Sequence, residues 1–112
     1  MRAEIKALGQ CELLCQLAEE ASELAQAALK LRRAIDGTNP TPKLAEDCIW
    51  ELMEEIADVQ IIFDYIDFPA DLGEAVDEII RRKEKRWATR LAARDETIEH
   101  VGYSDEQLGR DK

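Results

Sequence analysis

Positive charge, histidine, cysteine and long apolar runs are all scarce in this 112-residue chain, and each shortage removes a class of function. The 15 Lys and Arg stand against 25 Asp and Glu, giving a formal charge of -10 and a pI near 4.6. Such a field repels phosphate polymers and acidic membranes, which excludes general nucleic-acid or membrane-surface binding from the expectations. One histidine, His100, cannot furnish the two Glu-x-x-His pairs that a di-iron carboxylate bundle needs. The three cysteines, Cys11, Cys15 and Cys48, form no C-x-x-C and no zinc spacing. They fall at helical apolar positions, so the expectation is buried small hydrophobes with no structural disulfide. No apolar run approaches the roughly 20 residues of a membrane span, and the N-terminus lacks a basic-then-apolar leader, so a cytoplasmic location is expected. A Gly-rich phosphate loop and a Ser or Cys nucleophile with a matching base are also missing.

What remains is an alternation of long helical patterns and short breakers. After a lead, Met1 to Gly9, apolar periodicity predicts a helix from Gln10 to Asp36, stopped by Gly37. The stretch Gly37-Thr38-Asn39-Pro40-Thr41-Pro42 is a loop by its turn chemistry, and Thr41-Pro42 suits the start of a second helix running to Asp67. Phe68-Pro69 breaks it. A third helix is expected over Ala70 to Asp95, with Gly73 its weak point. The organisation is one helical domain, residues 1–95, then a polar tail, residues 96–112, with Gly102, Gly109 and His100 but no helical period, expected to be mobile or dependent on a partner. Three helices make a thin core, so the fold class is all-α, a bundle of about three long helices per chain completed by oligomerisation. The first helix supports this, because Cys11, Cys15, Ala18, Ser22, Ala25 and Leu29 form a second face of small and apolar residues suited to another subunit.

Two acidic clusters organise the chain: Glu19-Glu20-Ala21-Ser22-Glu23 and Glu54-Glu55-Ile56-Ala57-Asp58. Residues three apart share a helix face, so Glu20 with Glu23 and Glu55 with Asp58 each present paired carboxylates, a repulsive arrangement. The apolar stripe Leu13, Leu17, Ala21, Leu24, Ala28, Leu31 and Ile35 also contains Glu20, roughly 20° from Leu13 on the helical wheel. In the second helix, Cys48, Leu52, Ile56, Val59, Phe63 and Ile66 form a stripe with Glu55 inside its edge and Asp58 just beyond. A charge is seldom placed in a core stripe unless it is paired or holds a metal. Glu20, Glu23, Glu55 and Asp58 are therefore the candidate metal ligands, whereas Glu19, Glu51 and Glu54 read as solvated.

The third helix carries the stripe Leu72, Val76, Ile79, Ile80, Trp87 and Leu91, with Lys83 near its middle. Around it, Arg81-Arg82-Lys83-Glu84-Lys85-Arg86 and Arg90 are the only concentrated positive charge. They make either a solvated run at the cation-favouring end of a helix or a set of phosphate ligands. Trp50 points away from the core stripe, and Trp87 reads as core.

Together, Glu19-Glu20-x-x-Glu23, Glu23-Leu24, Lys30 to Arg32, Glu54-Glu55-Ile56-Ala57-Asp58-Val59 and Lys83-x-x-Arg86 resemble the all-α nucleoside triphosphate pyrophosphatases, the MazG-like superfamily, over roughly Leu13 to Leu91. The resemblance implies Mg²⁺, with Mn²⁺ able to substitute, held by Glu20, Glu23, Glu55 and Asp58. It implies hydrolysis of a nucleoside triphosphate to monophosphate and pyrophosphate, with Lys83, Arg86 and Lys30 on the phosphates and Glu20 or Glu19 acting on the water. It also implies a homodimer, with a tetramer as the larger alternative. The 31 residues between Glu23 and Glu55 exceed the gap in many members, and Arg81 stands where the family often has Asn, features that bear on base specificity. The competing expectation is a non-catalytic helical interaction or regulatory module of the same fold.

Overall fold

A computed structural model describes residues 1–37 and 44–94. Among them every regular element is helical: α1 (Ala3–Lys6), α2 (Gln10–Asp36), α3 (Ala45–Phe63) and α4 (Leu72–Ala92). The all-α expectation holds, with a one-turn helix added inside the N-terminal lead. The chain divides into two compact units, one containing Met1–Ile66 and the other beginning at Asp67 and containing α4. The tail with His100, and the Thr41-Pro42 helix start, lie outside the described residues.

α2 has the bounds its periodicity predicts. It stops because Gly37 adopts φ 68, a left-handed conformation open to glycine, and its N–H closes on the Arg33 carbonyl at 3.0 Å. α3 ends earlier than the sequence suggests. Leu44 is extended, and the helix begins at Ala45. At the other end Asp64 and Tyr65 turn back onto Ile61 and Ile62, ending α3 at Phe63 instead of Asp67. Two long-range bonds account for the early stop: the Tyr65 carbonyl accepts from Gln10 Nε2 at 3.2 Å, and its hydroxyl accepts from the Arg2 backbone N–H at 2.8 Å. These bonds tie the end of α3 to the start of α2, while the Lys30–Glu51 ion pair at 3.3 Å joins the later part of α2 to the earlier part of α3. The two helices are thus an antiparallel hairpin.

Its core is a heptad-like seam. On α2 the covered positions are Leu13, Leu17, Glu20, Leu24, Ala27 and Leu31, and on α3 they are Cys48, Leu52, Glu55, Val59 and Ile62. Steps of three and four residues keep each set on one face. Both seams are rotated slightly from the expected stripes, so Ala21, Ala28 and Ile56 are exposed while Ala27 and Ile62 are buried. Leu13 (2 % exposed) and Cys48 (0 %) are the best covered side chains. Cys11 and Cys15, expected inside, are exposed on α2 away from this seam.

α4 is capped by Asp71, whose side chain accepts from the Glu74 backbone N–H at 2.9 Å. A Cβ at Gly73 would stand 3.3 Å from that Asp71 oxygen, so glycine leaves room for the cap. The stripe expected to be buried is largely open: Val76, Ile79 and Ile80 are exposed, and Trp87 is 64 % exposed. Amphipathic spacing identifies the apolar side of a helix but not what covers it.

Candidate metal centre

Glu20 follows Leu13 by seven residues and Glu55 follows Cys48 by seven, so each stands on the seam two turns after its helix's best buried residue. Antiparallel packing brings them together in mid-hairpin, and Glu23 and Asp58 follow one turn later on each helix. One carboxylate oxygen from each of Glu20, Glu23, Glu55 and Asp58 lies within 4.8 Å of the others. Glu20, Glu55 and Asp58 are half-buried, and Glu23 is exposed. All four expected ligands therefore converge from two helices.

The electrostatics are strained. Glu20 Oε1 accepts from Gln16 Nε2 at 2.9 Å. The second oxygens, Oε2 of Glu20 and of Glu55, are shielded from solvent and receive no hydrogen bond. Buried carboxylate oxygens without a donor or cation are costly. The cost appears as proton affinity. Glu23 is held above the ordinary 4.5, first by the Glu20 charge, then by a hydrogen bond with Glu20, then by burial and by Glu55 and Glu19. Glu55 is raised chiefly by burial, then by Asp58 and Glu20, against a lowering hydrogen bond from Glu23. Four hard oxygen donors at this spacing, with no positive charge among them, can hold a hard divalent cation.

The other expected residues are placed differently. Glu19 is exposed on α2 and is not one of the four converging groups. Lys30 is half-buried and paired with Glu51, which is therefore not the freely solvated carboxylate its sequence position suggests. Lys83 and Arg86 are exposed on α4, with no ion pair or hydrogen bond to a described residue. Gln16 joins the site through its bond to Glu20, and its i,i+4 spacing to Glu20 is the signal in the sequence for that bond. In comparisons with known proteins, no family model, curated protein or solved structure matched this chain.

Proposed function

We propose that the chain is a Mg²⁺-dependent pyrophosphohydrolase of the MazG-like kind, acting in the cytoplasm on a nucleoside or deoxynucleoside triphosphate. One observation carries this reading. Four carboxylates from the two acidic motifs converge on a hairpin seam, with one buried oxygen on each of Glu20 and Glu55 lacking a donor. The motif pattern supplies the reaction: water and a triphosphate give a monophosphate and pyrophosphate. No helix among the described residues is long and apolar enough to cross a membrane, which accords with a freely diffusing substrate.

The residues fit the ion. Four carboxylate oxygens within 4.8 Å of one another are hard donors of the kind that Mg²⁺ and Ca²⁺ both take. Mn²⁺ satisfies the same donors. Glu20, Glu23, Glu55 and Asp58 would hold the ion, which when bound supplies positive charge for the phosphates and lowers the pKa of water. The Gln16 bond to Oε1 restrains the Glu20 carboxylate. Glu19, exposed beside it in sequence, is the carboxylate left to orient or deprotonate the attacking water. Lys83 and Arg86 are the cations we assign to the phosphates. Lys30 contributes only by exchanging its Glu51 partner. Exposed apolar residues, Leu14 and Leu29 on α2 and Trp50, Met53 and Ile61 on α3, support a homodimer as the working form.

The test is pyrophosphate release from a panel of ribo- and deoxynucleoside triphosphates with Mg²⁺, Mn²⁺ or Ca²⁺, in wild type, Glu20→Gln and Glu55→Gln. Metal-dependent release lost in both variants is expected. Absence of release from every nucleotide, in folded protein that Mg²⁺ does not stabilise, would favour the interaction module.

A further inference from the structure

Trp87 is the largest exposed side chain on α4, and it stands among cations. Counting from Lys83, Arg86 is one turn on, Trp87 four residues on and Arg90 seven, so one helix side carries them all. With Ile80 and Glu84 they line an open cleft of about 510 Å³. That volume lies inside the roughly 300–1,000 Å³ of small-molecule sites.

The charges there are uncommitted. Three described cations have carboxylate partners: Lys30 pairs with Glu51, Arg32 with Asp36, and Arg81 with Glu78. Lys83, Arg86 and Arg90 make no ion pair or hydrogen bond with a described residue. Among the described residues of the lining Glu84 is the single carboxylate, beside the three cations Lys83, Arg86 and Arg90. In a chain of net charge -10, this concentration of unpaired cations beside an indole suits a ligand that is both polyanionic and flat. An aromatic face accepts a base by stacking, a contact worth roughly 1–3 kcal/mol per base in nucleic-acid-binding proteins. Ile80 adds apolar surface beside it.

We infer that the α4 cleft is a nucleotide-binding surface in which the base stacks on Trp87 and the phosphates lie along Lys83, Arg86 and Arg90. This deepens the proposed function, on which it rests for its ligand class, by assigning Trp87 as the base-contacting residue and Arg90 as a third phosphate cation. Stacking tolerates any base, so Trp87 contributes affinity for the base as a class rather than a choice among bases.

The experiment uses the full chain with Trp50→Phe, a change at an exposed position that leaves Trp87 as the sole tryptophan. Its fluorescence is titrated in EDTA with ATP, GTP, CTP, UTP and dTTP, and with inorganic tripolyphosphate. EDTA keeps the metal centre out of the measurement. Saturable quenching by nucleotides, with tripolyphosphate competing but not quenching, is expected. Adding Arg90→Gln should weaken the nucleotide by about threefold or more. By calorimetric titration in EDTA, Trp87→Leu should abolish the preference for nucleotide over tripolyphosphate, and Trp87→Phe should restore part of it. Quenching by no nucleotide, or by tripolyphosphate as well as by nucleotide, overturns the inference. Metal-dependent hydrolysis with a silent Trp87 would leave the enzyme reading intact and remove the cleft. Stacking without hydrolysis would do the reverse.

Discussion

Adding Mg²⁺ should stabilise this protein by an amount that depends on pH in a defined direction. A ligand that binds only the folded state at 100 times its Kd contributes about 2.7 kcal/mol. Unfolding entropy near 2.1 cal/mol/K per residue gives roughly 0.24 kcal/mol per degree for 112 residues, so the expected rise in Tm is about 11 °C. Glu23 and Glu55 both have folded pKa values raised above 4.5. Between 4.5 and those raised values the folded state holds more protons than the unfolded state. In EDTA, their contribution to stability is therefore fully present below about pH 4.5 and is lost as pH rises through the raised values. Mg²⁺ competes with the same protons, so its gain should be small at pH 4.5, grow across that window and level off above it. Glu20→Gln separates a metal site from a merely crowded one. The amide oxygen can still accept from Gln16, and the substitution removes the first cause of the raised Glu23 pKa. The variant should melt no lower than wild type in EDTA, yet gain only a few degrees from Mg²⁺. Circular-dichroism melts across pH 4.5 to 8, with EDTA or millimolar Mg²⁺, read all of these quantities. An equal Mg²⁺ gain in wild type and variant, or a gain that does not change with pH, would refute the assignment of the ion to these four carboxylates.

Leu13→Ala removes the best covered large side chain of the hairpin and should cost about 2–5 kcal/mol, lowering Tm by roughly 8–21 °C on the same entropy scale. A loss below about 1 kcal/mol would mean that the seam is not centred on Leu13. Cys11 and Cys15 should react with a thiol reagent such as DTNB in the folded protein, while Cys48 should react only on unfolding, so counting fast and slow thiols checks the rotation of α2.

Much of the fold was legible because its determinants are local. Gly37 after an uninterrupted 3.6-residue pattern sets the end of α2 to the residue. The C-terminal end of α3 was not legible, because Tyr65 leaves the helix to bond Gln10 and Arg2, more than 50 positions away in sequence. No propensity records such a contact. The Asp71 cap was readable in principle, since Asp71-x-x-Glu74 has capping-box spacing, but Pro69 drew the expected start to Ala70. The misplacement of Cys11, Cys15 and Trp87 has a different origin. Each lies at an apolar helical position, and periodicity alone does not say which of several apolar faces a neighbour covers. The acidic quartet was legible for the opposite reason: carboxylates within an apolar stripe break the pattern, and the break survives a modest rotation of the wheel.

That rotation strengthens the case for a bound cation. The stripe expected from sequence put Glu55 at an edge, where a carboxylate could reach water at little cost. In the structure Glu20 and Glu55 occupy seam positions equivalent to those of Leu13 and Cys48, seven residues earlier. An antiparallel hairpin built for stability alone would place apolar side chains there, and two facing leucines would bury without penalty. Two facing carboxylates with unpartnered buried oxygens instead weaken the centre of the hairpin, flanked by covered residues on both sides. Local weakness at the middle of a well-packed element has a physical use when a ligand supplies the missing interaction, because binding energy then couples directly to closure of the hairpin. A substitution such as Glu55→Leu, which completes the apolar seam, should therefore raise metal-free stability while removing the response to Mg²⁺.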